Sequence, residues 1–240
     1  ASFAARIDRA GVECVLVGDS LGNVIQGRDT TLPVTVDDMV YHTRCVRRGL
    51  ERALLIADLP FLSYHSRDSA IESAGRLMRA GAGMVKLEGG AGVVDTVRAL
   101  TDLGVPVCGH LGLTPQSVHQ LSGYRVQGRA GADRERLVAE ACALEKAGAS
   151  LLVVECVPES LGAELAVAVG IPVIGIGAGP RVDGQVLVLY DMLGITPGSP
   201  ARFVRDFLAV GAASIEDAIA AFVAAVRDGG FPSAQESYED

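Results

Sequence analysis

The chain has 240 residues, 49% of them hydrophobic, with 29 glycines and no tryptophan; that suits one α/β domain over 1–240 with a sizeable core. Lys and Arg number 21 against 29 Asp and Glu, a net charge of −8, which argues against nucleic acid as a partner, because that needs a basic patch. No apolar run approaches the roughly 20 residues that span a bilayer and no signal peptide is evident, so the expectation is a cytoplasmic protein with no membrane partner. Its five cysteines, Cys14, Cys45, Cys108, Cys142 and Cys156, lack metal-binding spacing and read as buried thiols in a reducing compartment.

Residues 1–10 read as a helix with Phe3, Ile7 and Ala10 on one face, stopped by Gly11. A strand over 12–17 ends in Gly18, Asp19 and Ser20, and a glycine-containing loop runs to Pro33. Thr35 caps a helix over 35–48, with Asp37 and Asp38 at its positive end and Arg44, Arg47 and Arg48 at its negative end. Strand 53–57 ends in Asp58, and Ser66 caps a helix over 66–79. Strand 84–87, helix 92–103 and strand 105–108 follow, the last closed by Gly109, His110, Leu111 and Gly112. Then come helix 133–147, strand 151–155, helix 159–169, strand 172–176, a last strand over 186–189, and helices over 201–209 and 215–227.

Alternating strands and helices give a parallel sheet with crossover helices. Seven strands are counted and the chain opens on a helix. A (β/α)8 TIM barrel has eight, so the first strand is expected ahead of residue 1. A doubly wound open sheet is the alternative, but no Gly-x-Gly-x-x-Gly follows the first strand, and the run Gly175 to Gly179 lacks the helix such a motif needs.

The chemistry gathers at 84–90. Side chains alternate faces along a strand, so Lys86 and Glu88 point the same way. The runs ending at Asp19, Asp58 and Glu155 also finish in carboxylates, and an α/β barrel builds its site at the C-terminal ends of its strands.

Seven segments occur in order: Val17-Gly18-Asp19-Ser20-Leu21-Gly22, Ala57-Asp58-Leu59-Pro60-Phe61, Val85-Lys86-Leu87-Glu88-Gly89-Gly90, Gly109-His110-Leu111-Gly112-Leu113-Thr114-Pro115-Gln116-Ser117, Tyr124-Arg125-Val126-Gln127-Gly128-Arg129, Glu155-Cys156-Val157-Pro158 and Gly175-Ile176-Gly177-Ala178-Gly179. Together they resemble the 3-methyl-2-oxobutanoate (ketopantoate) hydroxymethyltransferase family over nearly the whole chain. The resemblance implies a (β/α)8 barrel, assembled as a homo-oligomeric decamer. It implies transfer of a one-carbon unit from 5,10-methylenetetrahydrofolate to 3-methyl-2-oxobutanoate, giving 2-dehydropantoate on the way to pantothenate and coenzyme A. It places Asp19, Asp58 and Glu88 at the family's Mg2+ positions, a site open to other divalent metals. Asp19, Ser20, Asp58 and Lys86 match its oxo-acid positions, and Glu155 its proton acceptor. Two departures stand out. The family's strand before the first helix is absent here, and Ser233 to Tyr238 replaces its usual tail.

The hard step in such a reaction is removing a proton beside a ketone, and a divalent cation on the substrate oxygens stabilises the enolate. Mg2+ takes few carboxylates and keeps waters, which suits Asp19, Asp58 and Glu88. Glu155 is the expected general base, Lys86 the neutraliser of the substrate carboxylate or oxyanion, and His110 a hydrogen-bond donor to substrate. A Schiff base on Lys86 is disfavoured, because neighbouring carboxylates keep it protonated. Ser20 and Ser117 lack a His–Asp partner set, and His42, His65 and His119 read as structural or exposed. Folate contacts are expected from the 124–129 loop or the loop after Asp19. The competing readings are a related Mg-dependent oxo-acid lyase or mutase using a catalytic cysteine, and a non-catalytic barrel scaffold.

Overall fold

The computed structural model describes residues 1–121 and 123–240. Seven strands form one parallel sheet in sequential order: β1 (Cys14–Val17), β2 (Leu54–Asp58), β3 (Met84–Glu88), β4 (Val107–Gly112), β5 (Leu151–Glu155), β6 (Val173–Ile176) and β7 (Gly184–Gln185). Helix α1 (Ser2–Ala10) precedes them. Between them run α2 (Leu21–Val24), α3 (Val36–Arg47), α4 (Arg67–Arg79), α5 (Val94–Asp102), α6 (Gly131–Lys146) and α7 (Glu159–Ala168), and α8 (Leu189–Met192) and α9 (Ile215–Arg227) follow. The sheet therefore winds as a β/α barrel does, and among the described residues β7 does not pair with β1. Among these residues no helix is long and apolar enough to cross a membrane.

The helix starts follow their sequence signals. Thr35 Oγ1 accepts from Asp38 N while Asp38 Oδ2 accepts from Thr35 N, and Ser66 and Ser69 repeat the reciprocal arrangement at α4.

Period two in the strands divides the interior. Leu55, Ala57, Val85, Leu87, Val107, Leu111, Leu152 and Val154 face the helices and form the main core. The alternate residues face inward, where Ile56, Met84, Cys108, Leu151, Val153 and Ile176 make an apolar layer. One step further along the same faces the residues turn polar. Asp58 pairs in register with Lys86, Glu88 with His110, and Gly112 with Glu155. Burying such charges costs several kcal/mol each. The outer core, where each fully buried Leu contributes about 1.5–3 kcal/mol, is what offsets that cost.

Four sequence expectations need correction. Of the five cysteines expected as buried thiols, only Cys108 and Cys156 are buried; Cys45 and Cys142 are half-buried and Cys14, at the open start of β1, is exposed. His110 lies inside β4 and not beyond it. The last strand comes earlier and shorter, at 184–185, because Met192 N bonding to Val188 O and Leu193 N to Leu189 O close helical turns where strand pairing was expected. Residues 201–209 form turns rather than a helix. Phe207 N donates to Met192 O at 2.8 Å, and Asp206 Oδ1 accepts from Leu208 N and Ala209 N, which takes up backbone donors a helix would use internally.

Candidate active site

Asp19, Asp58, Lys86, Glu88 and His110 are all buried, and they meet at the C-terminal ends of β1 to β4. Lys86 Nζ lies 2.6 Å from Asp58 Oδ1 and 4.0 Å from Glu88 Oε1. Asp58 Oδ2 accepts from Asp19 N at 3.0 Å, which ties the end of β1 to β2. His110 bridges the far side, with Nδ1 3.3 Å from Glu88 Oε1 and Nε2 3.3 Å from Glu155 Oε2. The second approach is off the line of a good hydrogen bond. Glu155 is the most open of the set, its side chain 16% exposed. Ser20 is half-buried beside it all. A Cβ on Gly18 would come within 3.0 Å of Ser20 Oγ and 3.5 Å of Asp58 Oδ2, so the glycine allows that close approach.

Charge decides the protonation pattern. Burial drives Asp19 up to about 8, and the nearby Asp58 and Glu88 carboxylates add to the push. Burial likewise holds Asp58 above its ordinary value, against the pull of Lys86. For Lys86, burial favours loss of the proton, but Asp58, Glu88 and Asp19 outweigh it and keep the ammonium charged. Burial and Lys86 both oppose protonation of His110; Glu155 and Glu88 overcome them and push it up to about 9. An imidazolium donates Nδ1–H to Glu88 and turns Nε2–H toward Glu155, so the Lys86 proton is left for Asp58. Burial raises Glu88 too, but His110, Lys86 and the Gln116 N–H bring it below its ordinary value. The two cysteines that matter for the lyase reading are no thiolates: burial pushes Cys108 up to about 12 and also raises Cys156.

Gln116 was not anticipated, and it ties the site together. Its Nε2 donates to Asp19 Oδ2 at 2.8 Å and to Leu59 O at 3.0 Å, and its backbone N–H donates to Glu88 Oε2 at 2.9 Å. The Tyr64 hydroxyl donates to Gln116 Oε1 at 2.6 Å, with Glu88 O a second, longer acceptor at 3.2 Å. That bond fixes which end of the amide faces Asp19. Its sequence cues were its place in the turn after Pro115, directly beyond β4, and in the 109–117 segment that carries the family resemblance.

Asp19, Asp58 and Glu88 supply oxygen donors of the type Mg2+ takes. Asp58 Oδ1 is buried without a well-aligned hydrogen bond among the described residues, though the Lys86 ammonium lies 2.6 Å away. Four carboxylates, counting Glu155, face two cations, Lys86 and His110; with Asp19 holding its proton near neutral pH one negative charge is left over, and a bound cation would favour release of that proton as well. The donor set and that surplus fit a divalent cation. As the side chains stand, Lys86 occupies the space between Asp58 and Glu88, and among the described residues no three His, Cys, Asp or Glu side chains form a group ready to hold a metal ion. Of the loops expected to face folate, exposed Tyr124 is tied to the site by charge. Its phenol is raised by partial burial and by Glu155, Asp19 and Glu88. His65 and His119 are exposed, and His42 packs edge-on against Tyr41, outside the constellation.

Residues 1–234 match the family described as ketopantoate hydroxymethyltransferase. The 3-methyl-2-oxobutanoate hydroxymethyltransferase of Azoarcus sp. strain BH72 is 57% identical over 240 residues, 99% of this chain and 88% of that protein. That of Halorhodospira halophila is 57% identical over 238 residues, 99% and 86% of the two chains. Among solved structures, phosphoenolpyruvate phosphomutase from Streptomyces platensis subsp. rosaceus superposes with a TM-score of 0.60 over 79% of this chain and 74% of that one, at 13% identity. The structure of 2,3-dimethylmalate lyase, a PEP mutase/isocitrate lyase superfamily member, gives 0.52 over 71% and 62%, at 18% identity. At those identities the likeness is one of fold alone.

Proposed function

The chain belongs to the ketopantoate hydroxymethyltransferase family, and from that premise we propose how its buried charges carry the family's reaction, the transfer of a hydroxymethyl group to 3-methyl-2-oxobutanoate to give 2-dehydropantoate. The donor is 5,10-methylenetetrahydrofolate, and water supplies the hydroxyl oxygen. The observation that carries this reading is the polar layer itself: Asp58 in register with Lys86, Glu88 with His110, and Glu155 beside Gly112 gather on four adjacent strands, in a chain that matches the family almost end to end.

Glu155, the most solvent-accessible of the carboxylates, takes the proton from C3 of the oxo acid. His110 lies against its Oε2 and holds the carboxylate's direction by charge. Lys86, kept protonated by Asp58, places a positive charge where the substrate carboxylate or the developing enolate oxygen lies. Ser20 and Asp19 line the same mouth as substrate contacts. Asp19, Asp58 and Glu88 would hold Mg2+, or another divalent cation, which when bound supplies Lewis-acid stabilisation of the 2-oxo oxygen. Water adds to the methylene carbon as one folate nitrogen leaves with a proton, giving a hydroxymethyl group on the other nitrogen; C3 of the enolate then bonds to that carbon as the second carbon–nitrogen bond breaks and its nitrogen takes up the proton removed from C3. The reading carries with it a cytoplasmic, homo-oligomeric enzyme, a decamer by family resemblance.

Mixing the chain with 3-methyl-2-oxobutanoate, 5,10-methylenetetrahydrofolate and Mg2+ should yield 2-dehydropantoate by mass spectrometry. A folded protein that makes none contradicts the reading.

A further inference from the structure

The last eight residues are fastened across the ends of β5 and β6. Tyr238 O accepts from Glu159 N at 2.8 Å, at the start of α7. Asp240 Oδ1 accepts from Ser160 Oγ at 2.5 Å and lies 3.3 Å from Arg134 Nη1. Arg205 pairs with Glu236 at 2.6 Å, and Arg202 Nε donates to Gln235 O at 3.0 Å. The ring of Tyr238 is set against Gly177, just past β6, where an added Cβ would come within 3.2 Å of its Cε2. Arg202 lies 5.8 Å over that ring. The hydroxyl faces the Cys156 thiol.

Cys156 is where this strap meets the site. It follows Glu155 directly, and its φ of 49° puts a residue with a side chain in the left-handed region, a strained conformation that persists only where the surroundings hold it. Its backbone is held on both sides, N donating to Ile176 O and O accepting from Gln127 N, each at 2.9 Å. Gly177, the glycine under the Tyr238 ring, accepts through its O from Val157 N at 3.1 Å, one residue past Cys156.

We propose that Tyr238 is a positioning residue: its ring, packed on Gly177, steadies the backbone bond from Val157 to Gly177 and with it the left-handed turn at Cys156 that aims Glu155 at the substrate. This rests on the reading of Glu155 as the base. It assigns the C-terminal strap a part in proton removal that neither the sequence motifs nor the site's own contacts give it. The ring does this work; the hydroxyl does not.

The test compares the full chain with Tyr238→Phe and Tyr238→Ala, following exchange of the C3 proton of 3-methyl-2-oxobutanoate in D2O with Mg2+ and no folate. Tyr238→Ala should lose about tenfold in the exchange kcat, since small misplacements of a reacting group are costly. The oxo-acid KM and the melting temperature should stay near those of the unaltered chain, a split that a merely structural role does not give. Tyr238→Phe should keep most of the rate. If Tyr238→Ala does not fold, Tyr238→Leu is judged by the same criteria. A full rate in Tyr238→Ala, an equal loss in Tyr238→Phe, or a loss confined to KM overturns the inference while leaving the function intact. No exchange by the unaltered chain sinks the functional reading, and this inference with it.

Discussion

Lys86 Nζ and Asp58 Oδ1 sit 2.6 Å apart with both side chains at least 96% enclosed, so each depends on the other for its charge. Removing one partner of a buried pair leaves the other uncompensated, at a cost of about 3–5 kcal/mol. Lys86→Met should therefore lower the melting temperature markedly, and Asp58 can escape only by taking up a proton. The double variant Lys86→Met with Asp58→Leu should regain much of the stability but no activity. Thermal melts of the two variants beside the unaltered chain check the pair. Equal stability of Lys86→Met and the unaltered chain would show that the two do not depend on one another.

Gln116 makes a second prediction. Gln116→Ala removes the side-chain donor to Asp19 and Leu59 O, while the backbone N–H to Glu88 survives. The cost should be about 1–3 kcal/mol in stability, with a larger fractional loss of turnover because Asp19 is no longer aimed. Tyr64→Phe removes only the bond that fixes the amide and should cost about 1 kcal/mol. Denaturant unfolding alongside turnover separates the two effects.

A third prediction concerns pH and lies away from the site. The Asp8 carboxylate accepts from the backbone N–H groups of Ala53, Arg52 and Glu51, docking α1 beside the start of β2. The Ala53 bond is the largest influence and, with the others, holds Asp8 below its ordinary 3.8 against the effect of burial. A group with a depressed folded value stabilises the fold above its unfolded value, and that stability is lost as pH falls through the folded one. Asp8→Asn should lower the melting temperature by a few degrees at neutral pH and by progressively less as pH drops below about 4. A constant difference across that range would contradict the assignment.

Much of the site was legible because a strand has period two. Met84, Lys86 and Glu88 fall on one face by counting alone, and the same count puts Ile56 under Asp58 and Val153 under Glu155. His110 was placed past its strand because Gly109 looks like an ending. In the fold that glycine permits close packing, since a Cβ there would meet Leu144 Cδ1 at 3.1 Å and Leu152 Cδ1 at 3.2 Å. Gln116 could not be found by periodicity. It reaches Asp19 across 97 positions of sequence, through a loop whose path only the fold fixes. Residues 201–209 were misread for a related reason: their spacing suits a helix, but Met192 O and the Asp206 carboxylate claim the donors.

In the proposed mechanism Glu155 removes the C3 proton with help from a divalent cation. The most direct measurement is NMR of 3-methyl-2-oxobutanoate in D2O with the chain and Mg2+, without folate. The C3 proton signal should be lost with the unaltered chain and should persist with Glu155→Gln or with EDTA. Exchange that continues undiminished in Glu155→Gln would contradict the assignment of the base, and exchange indifferent to EDTA would contradict the cation's part in it.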